Sequence, residues 1–150
     1  MNTNNYNNYN SLDSASLNAE VDRLQVEIDA NNNELTNLIS QMNIKNAEGL
    51  NLNFESAKAM RDLRDIQQEK IPYEEKKQRI LEKFKLVKEL KDKSKEVYNK
   101  YIELDKKNNM LRGINRILNE KLRRATIRLV VRTYSDSEIS NAAKTITEFL

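Results

Sequence analysis

Apolar residues recur through the first part of the chain at alternating spacings of four and three, the heptad pattern of a helix that pairs along one narrow seam. The residues of this first seam are Leu17, Val21, Leu24, Ile28, Asn31, Leu35, Leu38 and Met42. Val21, Ile28, Leu35 and Met42 take heptad position a, and the other four take position d. Branched residues at a with Leu at d favour two-stranded pairing. The pattern predicts a first coiled-coil segment over residues 12–47.

Asn31 is the one polar residue in this first seam. A buried amide is satisfied only when it meets a polar group on the opposite helix, so Asn31 is a candidate for fixing the register at some cost in stability. A polar layer that lies close to solvent is the alternative interpretation.

Residues 48–72 predict a jointed connector that contains a short helix. Gly49 suits the end of a helix, and Asn51 or Asn53 suits the start of the next one. Leu50, Leu52 and Phe54 alternate with the two asparagines, but Asn disfavours strands. We therefore expect a loop over residues 46–56, followed by a helix over 54–70 in which Ala59, Leu63 and Ile66 continue the first heptad register.

The sequence "KIPYEEKK" interrupts this short helix. Pro72 followed by Glu74 and Glu75 matches a new helix start, because proline is tolerated in the first turn and acidic residues interact favourably with the helix dipole there. A kink within one continuous helix is the alternative.

A second seam predicts a coiled-coil segment over residues 73–125. Its main d positions are Leu90, Val97, Leu104, Leu111 and Leu118, flanked in the same register by Lys83 and Ala125. Its a positions are Ile80, Val87, Ser94, Tyr101, Asn108, Asn115, Leu122 and Leu129. The register is offset by three residues from the first, so the two segments are separate helices or one coil with a stammer. Three polar a positions, together with Gly113, predict a weak seam that depends on a partner for stability.

Residues 126–150 predict a small docking element formed by a strand and a helix. Ile127, Leu129 and Val131 alternate with Arg128 and Arg132, which favours a strand over 126–134. A capping box from Ser135 to Glu138 then precedes apolar residues at helical spacing, which predicts a helix over 136–149. The chain offers no second strand, so we expect the mate to come from another chain. Continuation of the preceding helix is the alternative.

The same region is rich in basic residues. Lys121, Arg123, Arg124, Arg128 and Arg132 have only Glu120 as an acidic neighbour. We expect a partner contact formed by Arg123, Arg124, Ile127, Arg128, Leu129, Val131 and Arg132. Nucleic-acid phosphate is the alternative target. The pattern departs from basic-zipper transcription factors, which place the basic helix before the zipper, whereas this cluster follows it.

Composition limits the possible chemistry. The sequence contains no Cys and no His, which removes thiolate ligands, the commonest general base and the commonest transition-metal ligand. Because no phosphate-binding glycine loop or nucleophile motif is present, we expect no enzymatic activity, no metal and no cofactor. No apolar run is long enough to span a membrane, so a soluble intracellular protein is expected. Residues 1–11 are Asn-rich and predict a disordered tail, in which Tyr6 and Tyr9 are expected to be solvated.

Charge divides the chain into an acidic and a basic half. Residues 1–72 hold 6 Lys and Arg against 11 Asp and Glu, and residues 73–150 hold 20 against 12. This asymmetry favours an antiparallel hairpin in which the first segment folds back on the second. The branched-a, Leu-d pattern favours parallel pairing with another chain instead.

The sequence therefore predicts a mainly α protein: an elongated coiled coil with two helical segments, a jointed middle and a C-terminal strand–helix docking element. Its periodicity is similar in type to that of small coiled-coil subunits of kinetochore, spindle-pole and tethering complexes. We expect a structural subunit that scaffolds a larger assembly through one or more coiled-coil protein partners, in a homomeric or heteromeric complex. A nucleic-acid-associated protein and a viral or phage structural component are the alternatives.

Overall fold

The computed structural model describes residues 9, 12–133 and 136–149, and these residues form three helices and no strand. The helices are α1 (Ser14–Gln68), α2 (Tyr73–Thr133) and α3 (Asp136–Phe149). The prediction of a mainly α protein is confirmed. Contacts group the chain into a terminal unit, Met1–Thr36 with Asn109–Leu150, and a central unit, Asn37–Asn108.

The start of α1 is fixed by Asp13. The backbone N–H of Ser16 donates a hydrogen bond of 2.7 Å to Asp13 Oδ1, and the N–H of Leu17 bonds the Asp13 carbonyl at 3.0 Å. This is the geometry of an N-cap, in which a short acidic side chain satisfies an otherwise unpaired donor of the first turn. The hydrogen bonds from Ser16 lower the pKa of Asp13.

Helix α1 runs without interruption through residues 46–56, so the predicted loop and jointed connector are wrong for this stretch. Gly49 has no positive φ and is an ordinary helical residue. Lys45, Gly49, Leu52 and Ser56 are half-buried and keep the heptad register between Met42 and Ala59. A mid-helix glycine costs about 1 kcal/mol relative to alanine, and the burial of Leu52 against a core cluster offsets a penalty of this size.

The turn between α1 and α2 confirms a new helix start near Pro72. Helix α1 ends at Gln68, and the N–H of Lys76 donates to the Pro72 carbonyl at 3.0 Å, which opens the hydrogen-bond ladder of α2. Glu74 and Glu75 lie in the first turn of α2. Lys76 Nζ also donates to the Gln67 carbonyl at 2.9 Å, so this side chain satisfies a backbone acceptor at the end of α1. A kinked continuous helix is excluded.

Helix α2 continues to Thr133, so the strand predicted over residues 126–134 is wrong for 126–133, and residue 134 lies outside the described residues. The second seam continues to its last a position, Leu129, which packs beside the fully buried Ala125. The hydroxyl of Thr126 donates to the Leu122 carbonyl at 2.7 Å. The preference of β-branched residues for strands is small, and packing of the apolar face outweighs it here.

Helix α3 confirms the helix predicted over residues 136–149. Ala143 and Ile146 are half-buried, whereas Phe149 is 86% exposed. Ser135, and with it the predicted capping box, lies outside the described residues.

In the terminal unit, α1 and α2 pack antiparallel. Leu24 and Ile28 share a buried cluster with Leu118 and Leu122, while Leu17 lies against Ala125 in a second cluster. Lower residue numbers on α1 therefore meet higher numbers on α2. Leu17, Leu24 and Ala125 are completely buried, which makes these two layers the best-packed part of the unit.

Tyr9 joins the second of these clusters. Its ring is 7% exposed and packs beside Leu17 and Ala125, and its hydroxyl donates to Glu20 Oε1 at 3.2 Å. The expectation that Tyr9 is a solvated ring is wrong, because the ring covers apolar surface and its hydroxyl finds an acceptor. The other residues of the predicted disordered tail, 1–8, 10 and 11, lie outside the described residues.

The central unit repeats the antiparallel arrangement with smaller residues. Ala59, Val87 and Leu90 form its buried cluster, with Leu52 packed against it. A Cβ placed on Gly49 would lie 3.9 Å from Val97 Cγ1, so the two helices approach each other at this glycine.

Candidate interaction surfaces

All of the predicted seam residues are buried or half-buried. In the first seam, Leu17, Leu24, Ile28 and Leu38 are buried, and Val21, Asn31, Leu35 and Met42 are half-buried. In the second, Leu90 and Leu118 are buried, and Val97, Leu104 and Leu111 are half-buried. The sequence leaves open an antiparallel pairing within the chain and a parallel pairing with another chain. Within each unit, the structure contains the antiparallel pairing of α1 with α2.

Asn31 finds its polar partner on α2. Its Nδ2 donates to Asn115 Oδ1 at 2.8 Å, and Asn115 Nδ2 donates onward to Asn32 Oδ1 at 2.9 Å. Asn115 is 6% exposed. Two seam positions that are costly when unpaired therefore satisfy each other, which favours one register over its neighbours.

Asn108 contrasts with this amide group. Its side chain is 4% exposed, and within the described part of the chain its Nδ2 donates no hydrogen bond. A buried, unpaired donor costs about 1–3 kcal/mol, so this layer lowers the stability of the central unit.

One flank of α1 is acidic along its length, a feature that was not predicted from the sequence. In the register of the first seam, the residue that precedes an a position is Gln41 once and is otherwise acidic: Glu20, Glu27, Glu34, Glu48, Glu55, Asp62 and, just beyond the end of α1, Glu69. The equivalent positions of α2 are basic except at Leu86 and Ile114: Arg79, Lys93, Lys100, Lys107, Lys121 and Arg128. In an antiparallel pair these two rows lie side by side, and their period of seven is the signal that could have revealed them.

Ion pairs in the central unit follow this charged flank. Arg79 Nη1 lies 2.6 Å from Glu69 Oε2, and Lys83 Nζ lies 3.2 Å from Asp62 Oδ2. Each pair is partly exposed and contributes at most about 1 kcal/mol. Their combined effect is to favour the intrachain antiparallel pairing over pairings that bring like charges together.

The predicted basic contact is partly neutralised within α2. Glu120 Oε1 lies 2.7 Å from Arg123 Nη2 and 3.0 Å from Arg124 Nε. The hydrogen bonds from Arg123 and then Arg124 lower the pKa of Glu120 to about 2. Two of the cluster's cations therefore share one carboxylate that stays ionised at neutral pH.

The remaining residues of that predicted contact do not form one surface. Leu129 packs into the buried cluster with Leu17 and Ala125, and Ile127 is half-buried. Arg128 is half-buried and its Nε makes no hydrogen bond among the described residues. Val131 is 40% exposed and Arg132 is exposed. The alternation that favours a strand in the sequence instead distributes these side chains around a helix.

The terminal unit contains a basic groove, and we call this groove the Arg116 groove. It has a volume of about 580 Å³. Its lining includes Arg112, Arg116, Arg123, Asn32, Asn119 and Phe149 of α3. Only Glu120 supplies an acidic side chain to this lining, so the groove is suited to an anionic or amide-rich partner.

Two grooves of different character flank the seam of the central unit. The Gly49 groove, of about 260 Å³, is lined mainly by apolar and neutral residues, among them Asn46, Gly49, Leu50, Asn53, Tyr98 and Tyr101. On the other flank, a groove of about 380 Å³ is lined by charged residues that include Glu48, Lys93, Glu96 and Lys100. The Gly49 groove was not found from the sequence, because the local signals at Gly49 and Leu50 predict a loop there.

The described residues hold no group of three or more Asp and Glu side chains placed to bind a metal ion. None of the helices they form is long and apolar enough to cross a membrane. Comparison with known proteins gives no relative: no protein-family model, no curated protein and no solved structure matches the chain.

Proposed function

We propose that the chain is a non-enzymatic interaction subunit, in which α1 and α2 pair antiparallel within each unit, and that it scaffolds a larger multiprotein assembly. The observation that carries this proposal is that the chain fills its own seam and still exposes many large apolar side chains. Leu50, Phe54, Phe84 and Tyr98 are each more than 60% exposed. Contiguous exposed apolar patches are typical of surfaces that bind other proteins, and Leu50 and Tyr98 line one groove together.

Each unit suits a scaffold because its two helices hold each other in one register. The Asn31–Asn115 pair favours that register in the terminal unit, and the complementary charged rows favour it in the central unit. Binding surfaces within one unit therefore keep a fixed spacing, which is what a subunit of a kinetochore, spindle-pole or tethering type of assembly requires.

Stoichiometric co-purification tests this function. The full chain, isolated under native conditions from cells that express it, is expected to carry a reproducible set of partners in near-integer ratios. Mass spectrometry and light scattering of the isolated material would measure the ratios. Recovery of the chain alone, or only with substoichiometric chaperones, would contradict the proposal.

Nucleic-acid binding is a second candidate function, which the Arg116 groove favours. Arg112 and Arg116 are exposed and line this groove with Arg123. Binding through phosphate contacts would weaken with salt at a log–log slope of about −0.9 per contact on duplex DNA. Glu120, which pairs with Arg123 and Arg124, weighs against this candidate because it removes part of the positive charge.

A further inference from the structure

Of the ten large apolar side chains that are exposed in the central unit, six lie on the flank of the helix pair that carries the Gly49 groove. Ile39 and Met60 of α1, and Phe84 and Tyr98 of α2, each follow a d position directly. Leu50 and Leu81 follow an a position, and both are more than half exposed. This flank is the one away from the Arg79–Glu69 and Lys83–Asp62 ion pairs, so the central unit has a more apolar flank and a charged flank.

Small residues in the seam produce the groove. Gly49, Ser56 and Ser94 occupy a positions where larger side chains would fill the space between the helices. A second depression of about 330 Å³ adjoins the Gly49 groove, sharing Asn53 and Ser94 with it and adding Met60. The two depressions therefore form a continuous track beside the seam, along which the side chains of a third helix would insert.

The rim of this track is basic. Lys88, Lys91 and Lys95 lie on one face of α2 at spacings of three and four, and Arg64 lies on the α1 side. All four are exposed, and none is in an ion pair within the described part of the chain. On the charged flank, Arg79 pairs with Glu69 and Lys83 pairs with Asp62. The rim thus presents net positive charge beside apolar surface, with Asp92 of α2 as an acidic neighbour of Lys88 and Lys95.

We propose that the Gly49 groove of the central unit binds an amphipathic α-helix of a different protein, with apolar residues facing the groove and acidic residues along its edges. This inference rests on the proposed scaffold function and assigns the partner chemistry and its site. A second copy of the same face is a poor occupant, because it would bring Lys88, Lys91 and Lys95 against their own equivalents. An acidic helix meets these charges with opposite sign.

Two synthetic peptides test the charge requirement on the full-length chain. Both are 21-residue helices with the same leucine stripe, one with Glu and the other with Lys at the flanking positions. Fluorescence anisotropy is expected to show at least tenfold tighter binding of the Glu-flanked peptide. Charge reversal at three exposed positions, Lys88→Glu with Lys91→Glu and Lys95→Glu, should invert this preference, and circular dichroism checks that the variant stays helical.

The two glycines of the chain supply a matched test of the groove itself. Gly49→Leu places a side chain in the groove and is expected to weaken the Glu-flanked peptide at least tenfold. Gly113→Leu makes the same change where a Cβ would meet no atom within 4 Å, and should leave affinity within about twofold. The comparison separates occlusion of the groove from a general effect of replacing a helical glycine.

Three outcomes would overturn the inference: equal affinity for the two peptides, unchanged binding to Gly49→Leu, or self-association through this face in place of peptide binding. Displacement of the Glu-flanked peptide by duplex DNA would also overturn it, since the rim would then be a phosphate site. The proposed scaffold function and this binding site are tested by different results. If Gly49→Leu retains the complete stoichiometric partner set, the scaffold function stands and only this site is wrong.

Discussion

Asn31 Nδ2 donates a 2.8 Å hydrogen bond to Asn115 Oδ1, joining two residues that are 84 positions apart in the chain. Asn115 Nδ2 in turn donates a hydrogen bond to Asn32 Oδ1 at 2.9 Å. Asn31 and Asn115 each occupy a seam position that would otherwise hold an apolar side chain. The terminal unit consequently buries less apolar surface at this layer, but the hydrogen bonds of the layer are satisfied in only one register.

Replacing one member of this pair is expected to cost more than replacing both. Asn115→Leu leaves the donor of Asn31 without its acceptor and should lower the free energy of unfolding by about 1–3 kcal/mol. Asn31→Leu with Asn115→Leu should recover most of that loss, because two apolar side chains then face each other. Urea unfolding of the two single variants and the double variant measures the coupling. Additive losses would show that the amides act independently.

Leu24 is predicted to be one of the most sensitive positions of the terminal unit. It is 0% exposed and packs with Ile28, Leu118 and Leu122. Leu24→Ala should lower the free energy of unfolding by about 2–5 kcal/mol through lost burial and the cavity that remains. Val26→Ala, on a side chain that is 69% exposed, is the control and should change it by less than about 0.5 kcal/mol. Similar losses in both variants would contradict the assigned packing.

Alanine in place of either glycine is expected to stabilise the chain. Neither glycine has a positive φ, and a Cβ at Gly113 would meet no atom within 4 Å. The gain in helix propensity is about 1 kcal/mol for each substitution, or about 2–4 °C in Tm for a chain of this size. Thermal melting followed by circular dichroism measures the shift. A lower Tm for Gly113→Ala would mean that this position is not an open helical site.

Acid is predicted to weaken the folded state through Glu120. Its pKa falls from 4.5 to about 2 in the folded chain, chiefly because Arg123 and then Arg124 bond the carboxylate. Since the folded-state pKa is depressed, this contribution to stability is complete above pH 4.5 and is lost as the pH falls towards 2. The Glu120 side chain is 39% exposed, so solvent screening keeps the effect small.

NMR titration of the Glu120 carboxyl gives its pKa directly. A titration midpoint well below 4.5 is expected, and Arg123→Gln should move the midpoint upward because it removes the largest cause of the shift. Arg112→Gln, the control, changes a basic residue of α2 that does not contribute to this shift, and should leave the midpoint where it is. A midpoint near 4.5 in the unmodified chain would contradict the Glu120–Arg123 contact.

Heptad spacing alone was enough to identify the buried face of each helix. The seam residues between Leu17 and Met42, and those between Leu90 and Leu118, are all buried or half-buried. This follows because an apolar stripe at helical spacing lies on one face of its helix. The new helix start near Pro72 and the helix over residues 136–149 were also predictable, since their signals are local.

Residues 46–56 and 126–133 show where local signals mislead. Gly49 and its neighbouring asparagines favour a loop, and Ile127, Leu129 and Val131 favour a strand. Their conformational preferences amount to about 1 kcal/mol or less for each residue, which is less than the burial of one large apolar side chain. The heptad register is unbroken from Met42 to Ala59, which indicates a continuous helix. A loop in this stretch would have kept the two ends in the same register only by coincidence.

The choice of partner for each seam, and the surface left uncovered, were decided by tertiary structure. A heptad stripe specifies that a helix must pair but not whether its mate lies in the same chain, and only the contacts between α1 and α2 settle this within each unit. The Gly49 groove arises from Gly49 and Leu50 of α1 lying beside Val97 and Tyr98 of α2. Periodicity describes one helix at a time, so a groove shared by two helices becomes visible only when both are in place.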